Sequence, residues 1–286
     1  MPSLFYGVPH DDAWAGVARL AAARERDEDV RFVAEHLADP LKWRKPRRIF
    51  VNSMSDLFHE KLTNEQIAAV FGVMAAAPHH TFQVLTKRAR RMREWFAWVG
   101  DDGLVWSRLV EAIRKTHRPR PSVERLVTTS LDSRLLAWPL PNVWLGVSAE
   151  NQAAADERIP DLLATPAAVR WVSAEPLLGP LNLNAKCPPF YAPHLRSDRI
   201  SWVVAGCESG PGARPADVEW FRALRDQCAT AGVAFFLKQA VRRGGEWTDW
   251  KYVIGPGPGS KQKAGGVIEL PYLDGVQHAA FPEVTP

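Results

Sequence analysis

Six short apolar runs recur along the chain, and each gives way at its C-terminal end to polar, charged or glycine residues. They are I-F-V before Asn52, T-F-Q-V-L-T before Lys87, V-W-L-G-V-S before Glu150, V-R-W-V-S-A before Glu175, W-V-V-A-G before Glu208, and V-A-F-F-L before Lys238. None alternates apolar and polar positions cleanly, which is the pattern of strands covered on both faces of a parallel sheet. The runs predict strands near 48–52, 81–86, 142–148, 169–174, 200–206 and 233–238.

The text between them is helical. Thr63 opens a capping box with Gln66, and Ile67, Val70, Phe71 and Met74 repeat at the spacing of a packed helix face. A basic helix with Trp95 and Phe96 is expected over 89–99, and one disturbed by Pro160 over 151–164. Another is expected over 217–231, with Trp220, Leu224 and Cys228 on one face and Gly232 at its C-terminal cap. Strand–helix alternation of this kind gives an α/β fold, either a barrel or an open doubly wound sheet. The open dinucleotide fold calls for G-x-G-x-x-G after its first strand, and the chain has none. The expected class is therefore (β/α) barrel-like, in the manner of a TIM barrel, with about six parallel strands in a complete or incomplete ring. The expected domains are an N-terminal helical extension over 1–39, the barrel-like domain over 40–254 with a helical insertion at 100–140, and a flexible tail over 255–286 that holds one short strand near Val267–Leu270.

Composition narrows the class of partner. Of 286 residues, 46% are hydrophobic and 24% charged, as in ordinary globular proteins. No apolar run approaches the ~20 residues of a membrane span, and the N-terminus lacks the basic start and apolar core of a signal peptide. The cytoplasm is the expected compartment, with no membrane partner. A net charge of +4 permits an anionic partner without demanding one. Cys187, Cys207 and Cys228 are too scattered for a C-x-x-C metal site, so reduced thiols and no metal are expected.

The candidate chemistry lies at the strand ends. V-S-A-E occurs twice, ending in Glu150 and Glu175, and a third strand leads to Glu208. Three such glutamates suggest a shared site, with helix N-terminal capping as the alternative for each. Lys87 and Lys238 also end strands, where an ammonium group needs a carboxylate or an anionic ligand. Glu175 is assigned the central catalytic role and Lys238 is its expected partner, with Glu208, Glu150 and Lys87 around them. Ligand-binding positions are expected at Asn52, Ser53, Asp56, Ser148, Ser173, Gly206, Ser209, Gly210 and Gln239. Asp56 has the alternative of capping the turn before Thr63, as the glycines after Cys207 have that of a tight turn. The basic segments 42–48 and 87–93 are either a nucleic-acid rim or solvated surface.

Several of these stretches resemble a family of phage and bacterial proteins of unknown function that is described by a three-cysteine motif. The matching pieces are P-L-K-W-R-K-P-R-R-I-F-V-N-S-M-S-D-L-F-H-E, F-Q-V-L-T-K-R, N-V-W-L-G-V-S-A-E-N, R-W-V-S-A-E-P-L-L-G-P, G-C-E-S-G-P-G-A-R-P and F-F-L-K-Q, in that order over 40–239. The resemblance implies a relative of the radical S-adenosylmethionine enzymes, with S-adenosylmethionine and a [4Fe–4S] cluster as cofactors and a small polar or nucleotide-like substrate. Such proteins open with a cysteine cluster, and residues 1–39 contain no cysteine. The chain is then either a shortened form of a radical enzyme or a branch without the cluster, which uses the old site to bind a ligand or nucleic acid. As given, it is expected to bind no [4Fe–4S] cluster.

Overall fold

Strands and helices alternate along the chain with limits that follow the apolar runs. The computed structural model describes residues 13–14, 18–20, 30–52, 55–100, 104–117, 137–183, 199–208, 213–214, 216–241, 254–255, 259–263, 267–269 and 271–282. Short strands β1 (Ala13–Trp14), β2 (Ala18–Leu20) and β3 (Val30–Phe32) come first, followed by β4 (Arg48–Val51), α1 (Asn64–Ala76), β5 (Thr81–Thr86), α2 (Ala89–Val99) and α3 (Val105–His117). Next are β6 (Val143–Ser148), α4 (Gln152–Leu163), β7 (Val169–Ala174), β8 (Trp202–Gly206), α5 (Val218–Ala231) and β9 (Ala234–Val241). Strands β10 (Ile254–Gly255), β11 (Lys261–Lys263), β12 (Val267–Glu269), β13 (Tyr272–Leu273) and β14 (Val276–Gln277) end the series. All six expected strands are present, as β4 to β9, and the fold is α/β with six parallel strands. The chain divides into two compact units, the first of residues 1–146 and 164–168, the second of residues 147–163 and 169–286.

In the first unit β4 and β5 pair in parallel, with Ile49 opposite Phe82 and Val51 opposite Val84. Helix α1 begins with the expected capping box: Gln66 N–H donates to Thr63 Oγ1 at 3.2 Å, and Thr63 N–H donates to Gln66 Oε1 at 2.9 Å. The expected single stripe understates its burial, because every residue from Ile67 to Ala76 is buried. Helix α3, the helical part of the expected insertion, explains this by packing on α1. At Gly72 a Cβ would stand 2.6 Å from Ile113 Cδ1 and 3.2 Å from the Leu109 carbonyl oxygen, so the missing side chain permits the close approach. Phe71 stacks on Trp95 at 4.4 Å, and the Trp95 indole N–H donates to the Asn64 carbonyl at 3.1 Å. The Asn142 amide donates to the carbonyls of Met74, Ala77 and His80, tying the end of α1 to the start of β5.

The helices expected before residue 39 are a correction. The described residues there form β1, the antiparallel pair β2–β3, and one 3-10 turn over Ala34–His36. Strand β1 takes the free edge of β4, and such pairing overrides the helical propensity of an Ala- and Arg-rich text. The loop expected after His117 lies outside the described residues.

In the second unit β7, β8 and β9 pair in parallel, and Trp171 stands opposite Trp202 with ring centres 5.3 Å apart. Helix α5 is capped by the Asp217 side chain and ends on Gly232, whose φ of 64° is left-handed. Its buried face is Phe221, Leu224 and Cys228, with Phe221 in the place expected for Trp220.

The outer edge of β9 is taken by antiparallel β12, and that of β12 by β11, so no further strand–helix unit continues this edge. The tail expected to be flexible is thus largely built into the unit. Leu237 N–H donates to the His278 carbonyl at 2.9 Å, Trp202 Nε1–H donates to Ala280 at 2.9 Å, and Phe281 packs on Trp202 and Phe236. An open strand edge beside two large rings supplies the reason, since uncovered it would expose both amides and aromatic surface. No described helix is long and apolar enough to cross a membrane.

Candidate functional site

Glu175 follows the last residue of β7, and Lys238 lies on β9. Lys238 Nζ lies 3.3 Å from Glu175 Oε1 and 3.4 Å from Oε2, with the two side chains 14% and 10% exposed. Oε1 is buried and accepts no hydrogen bond, although the ammonium is within reach. Between these strands runs β8, whose last residue is Gly206. A Cβ there would fall 2.5 Å from Glu175 Oε1 and 3.2 Å from its Cγ and Cδ. Glycine is therefore what lets the carboxylate lie over the strand end. The Gly206 carbonyl accepts from Leu177 N–H at 2.9 Å, which pins the chain just beyond Glu175.

The strand end is braced from the other side by Gln239. Its carbonyl accepts from Cys207 N–H at 3.1 Å, and its side-chain amide donates to the Cys207 carbonyl at 2.9 Å. The pairing of β8 with β9 slips at Ala205 and Gly206, and this double bond to Cys207 closes the slip. Gln239, expected to bind ligand, thus positions the backbone that carries Gly206.

The other two glutamates are each paired with an arginine that was not anticipated. Arg158 on α4 donates to Glu150 Oε2 at 2.9 Å and to the Ser148 carbonyl at 2.9 Å. Arg214 holds Glu208 with its Nε at 2.8 Å, its Nη2 at 2.9 Å and its backbone N–H at 2.8 Å. Those Arg214 hydrogen bonds hold the Glu208 carboxyl down at about 2. A sequence signal existed for both partners, in an arginine eight and six residues downstream. Ser148 and Ser173 are buried at their strand ends, and the Ser173 carbonyl accepts from Ala149 N–H at 2.8 Å. Ser209 and Gly210 lie outside the described residues.

Asp56, Lys87 and Asn52 belong to the first unit. Asp56 accepts from Phe58 N–H, the Thr86 hydroxyl, Lys87 N–H and Arg88, so its carboxylate fastens its own loop to the end of β5. The backbone of Lys87 is fixed in the same contact. Ser53 is outside the described residues, and His59 is buried with Nδ1 accepting from Lys61 N–H at 3.2 Å. Several arginines of the basic helix are engaged nearby: Arg88 with Glu60, Arg90 with Glu94, and Arg91 with Asn64.

The two described thiols are not grouped as a cluster would require. Cys207 and Cys228 are both buried and form no disulfide, and burial pushes the Cys228 thiol inside α5 up to about 12. Iron–sulfur ligation needs several thiolates grouped together. Among the described residues no group of three or more His, Cys, Asp or Glu is placed to hold a metal ion.

No curated protein matches the chain. No solved structure matches it either. Residues 10–282 match the model of a family described as Protein of unknown function (DUF5131), and the chain belongs to that family.

Proposed function

We propose that the ends of β7 and β8, with Lys238 of β9, bind a small polar ligand with an amino-acid end, the Lys238 ammonium receiving its carboxylate and Glu175 its ammonium. The observation that carries this reading is Glu175 Oε1, a buried carboxylate oxygen with no hydrogen bond beside a lysine 3.3 Å away. A pair kept only for stability would be expected to align its donor with both oxygens, since buried ion pairs barely offset their desolvation. Gly206 leaves the carboxylate room that any side chain would occupy. S-adenosylmethionine, which the motif resemblance implies, has an end of this kind and is the favoured ligand.

Calorimetric titration with L-methionine, N-acetyl-L-methionine and L-methionine methyl ester tests the assignment. Each blocked form should bind at least about tenfold more weakly, as a lost charged hydrogen bond is worth ~1.5–3 kcal/mol. Equal affinity for the three, or no binding of L-methionine at about 10 mM, overturns it.

A further inference from the structure

Two carboxamides in the first unit are buried without partners. Asn52 is 3% exposed and Gln83 is 0% exposed, and none of their four side-chain nitrogen and oxygen atoms makes a hydrogen bond. Gln83 sits on β5 in register with Phe50 on β4, so the two side chains share one face of the sheet. Asn52 comes two residues after Phe50, just past the end of β4, with a left-handed φ of 57°.

Neither side chain contributes a hydrogen bond to the fold. Glycine adopts the backbone of position 52 without strain, and methionine fills the volume of Gln83 without polar atoms to desolvate. Each buried amide group without a partner costs free energy that an apolar residue would not. The acid closest along the chain, Asp56, is already taken up by Phe58, Thr86, Lys87 and Arg88. The two amides therefore offer uncharged donors and acceptors, that of Gln83 in register with an aromatic residue.

We propose that Asn52 and Gln83 recognise the edge of a nucleobase, with Phe50 beside Gln83 as the surface on which the base lies. A carboxamide presents one donor and one acceptor in a plane, which is the complement of a base edge and matches adenine in bidentate fashion. Aromatic rings next to such groups supply the stacking face. Because the four atoms are screened by protein, the base enters only when covering side chains turn aside, and association is correspondingly slow.

The test is titration of the full chain with adenosine, guanosine, cytidine and uridine, repeated with Gln83→Met and Asn52→Gly. One nucleoside should bind, and either substitution should weaken it at least about tenfold while leaving the unliganded protein as stable as the parent or more so. Glu175→Gln should leave nucleoside binding unchanged, which separates this site from the one on β7 to β9. Should Gln83→Met fail to fold, Asn52→Gly decides alone. Failure of all four nucleosides to bind overturns the proposal, as does binding that survives the substitutions; the amides then serve only ordered water.

Discussion

Gly206→Ala is the sharpest perturbation of the Glu175 site that leaves every charged group in place. The new methyl carbon would lie 2.5 Å from Glu175 Oε1 and 3.2 Å from Cγ and Cδ. Relaxed contacts of this kind are roughly 3.5 Å, so the carboxylate must retreat by about 1 Å. It is the end of a side chain and yields more easily than backbone would. The stability cost therefore belongs at the low end of the ~1–3 kcal/mol typical of overpacking. The ion pair suffers more, because 3.3 and 3.4 Å leave little margin before Lys238 and Glu175 part. Urea unfolding followed by tryptophan fluorescence measures the first effect, and calorimetry with L-methionine the second. We expect a loss of about 1 kcal/mol in stability and at least about tenfold in affinity. An affinity unchanged within experimental error, or a stability loss above ~4 kcal/mol, would refute the reasoning, the latter because backbone and not the carboxylate would have absorbed the strain.

Two further outcomes concern the first unit. Gly72→Ala should destabilise by ~1–3 kcal/mol in urea, since its Cβ meets Ile113 Cδ1 at 2.6 Å, and adding Ile113→Val should restore part of the loss by removing that carbon. His80 is buried, with Nδ1 accepting from Arg47 N–H and Nε2 donating to the Pro40 carbonyl, and burial holds its pKa below 6.5. Its neutral form is the folded one, so the stability it contributes is complete above the unfolded value of 6.5 and is lost as pH falls through the lowered folded value. His278 is pushed down by burial too and adds to the same slope. Thermal melts from pH 8 to about 4.5 should decline below 6.5, and His80→Gln should flatten the curve while lowering its plateau; an unaltered slope would contradict the assignment.

What was legible in the sequence follows from which forces act locally. The strands β4 to β9 were readable because burial on both faces leaves continuous apolar runs, and most of their ends because polar, charged or glycine residues follow, whereas β9 runs on past Lys238 to Val241, where β12 pairs with it. Glu175 and Lys238 were readable as partners because each follows a continuous apolar run, although Lys238 lies within β9 and not at its end. Arg158 and Arg214 were missed because a downstream arginine on a helix or loop has no periodicity that distinguishes it from solvated charge. The tail was misjudged because strands of two or three residues, divided by glycine and proline, acquire their conformation from the edge of β9 and from Trp202. Gln83 was hidden inside an apolar run, where its neighbours Phe82 and Val84 mark a strand and nothing marks an unpartnered amide.

The central claim is that Glu175 and Lys238 are kept for a ligand and not for stability. The double substitution Glu175→Gln, Lys238→Met removes both charges at nearly constant volume and leaves neither partner buried alone. Measured together, its unfolding free energy and its affinity for L-methionine separate the two roles. The account predicts stability within ~1–2 kcal/mol of the parent or above it, with binding abolished. A loss of more than ~3 kcal/mol, or binding that persists, would contradict it.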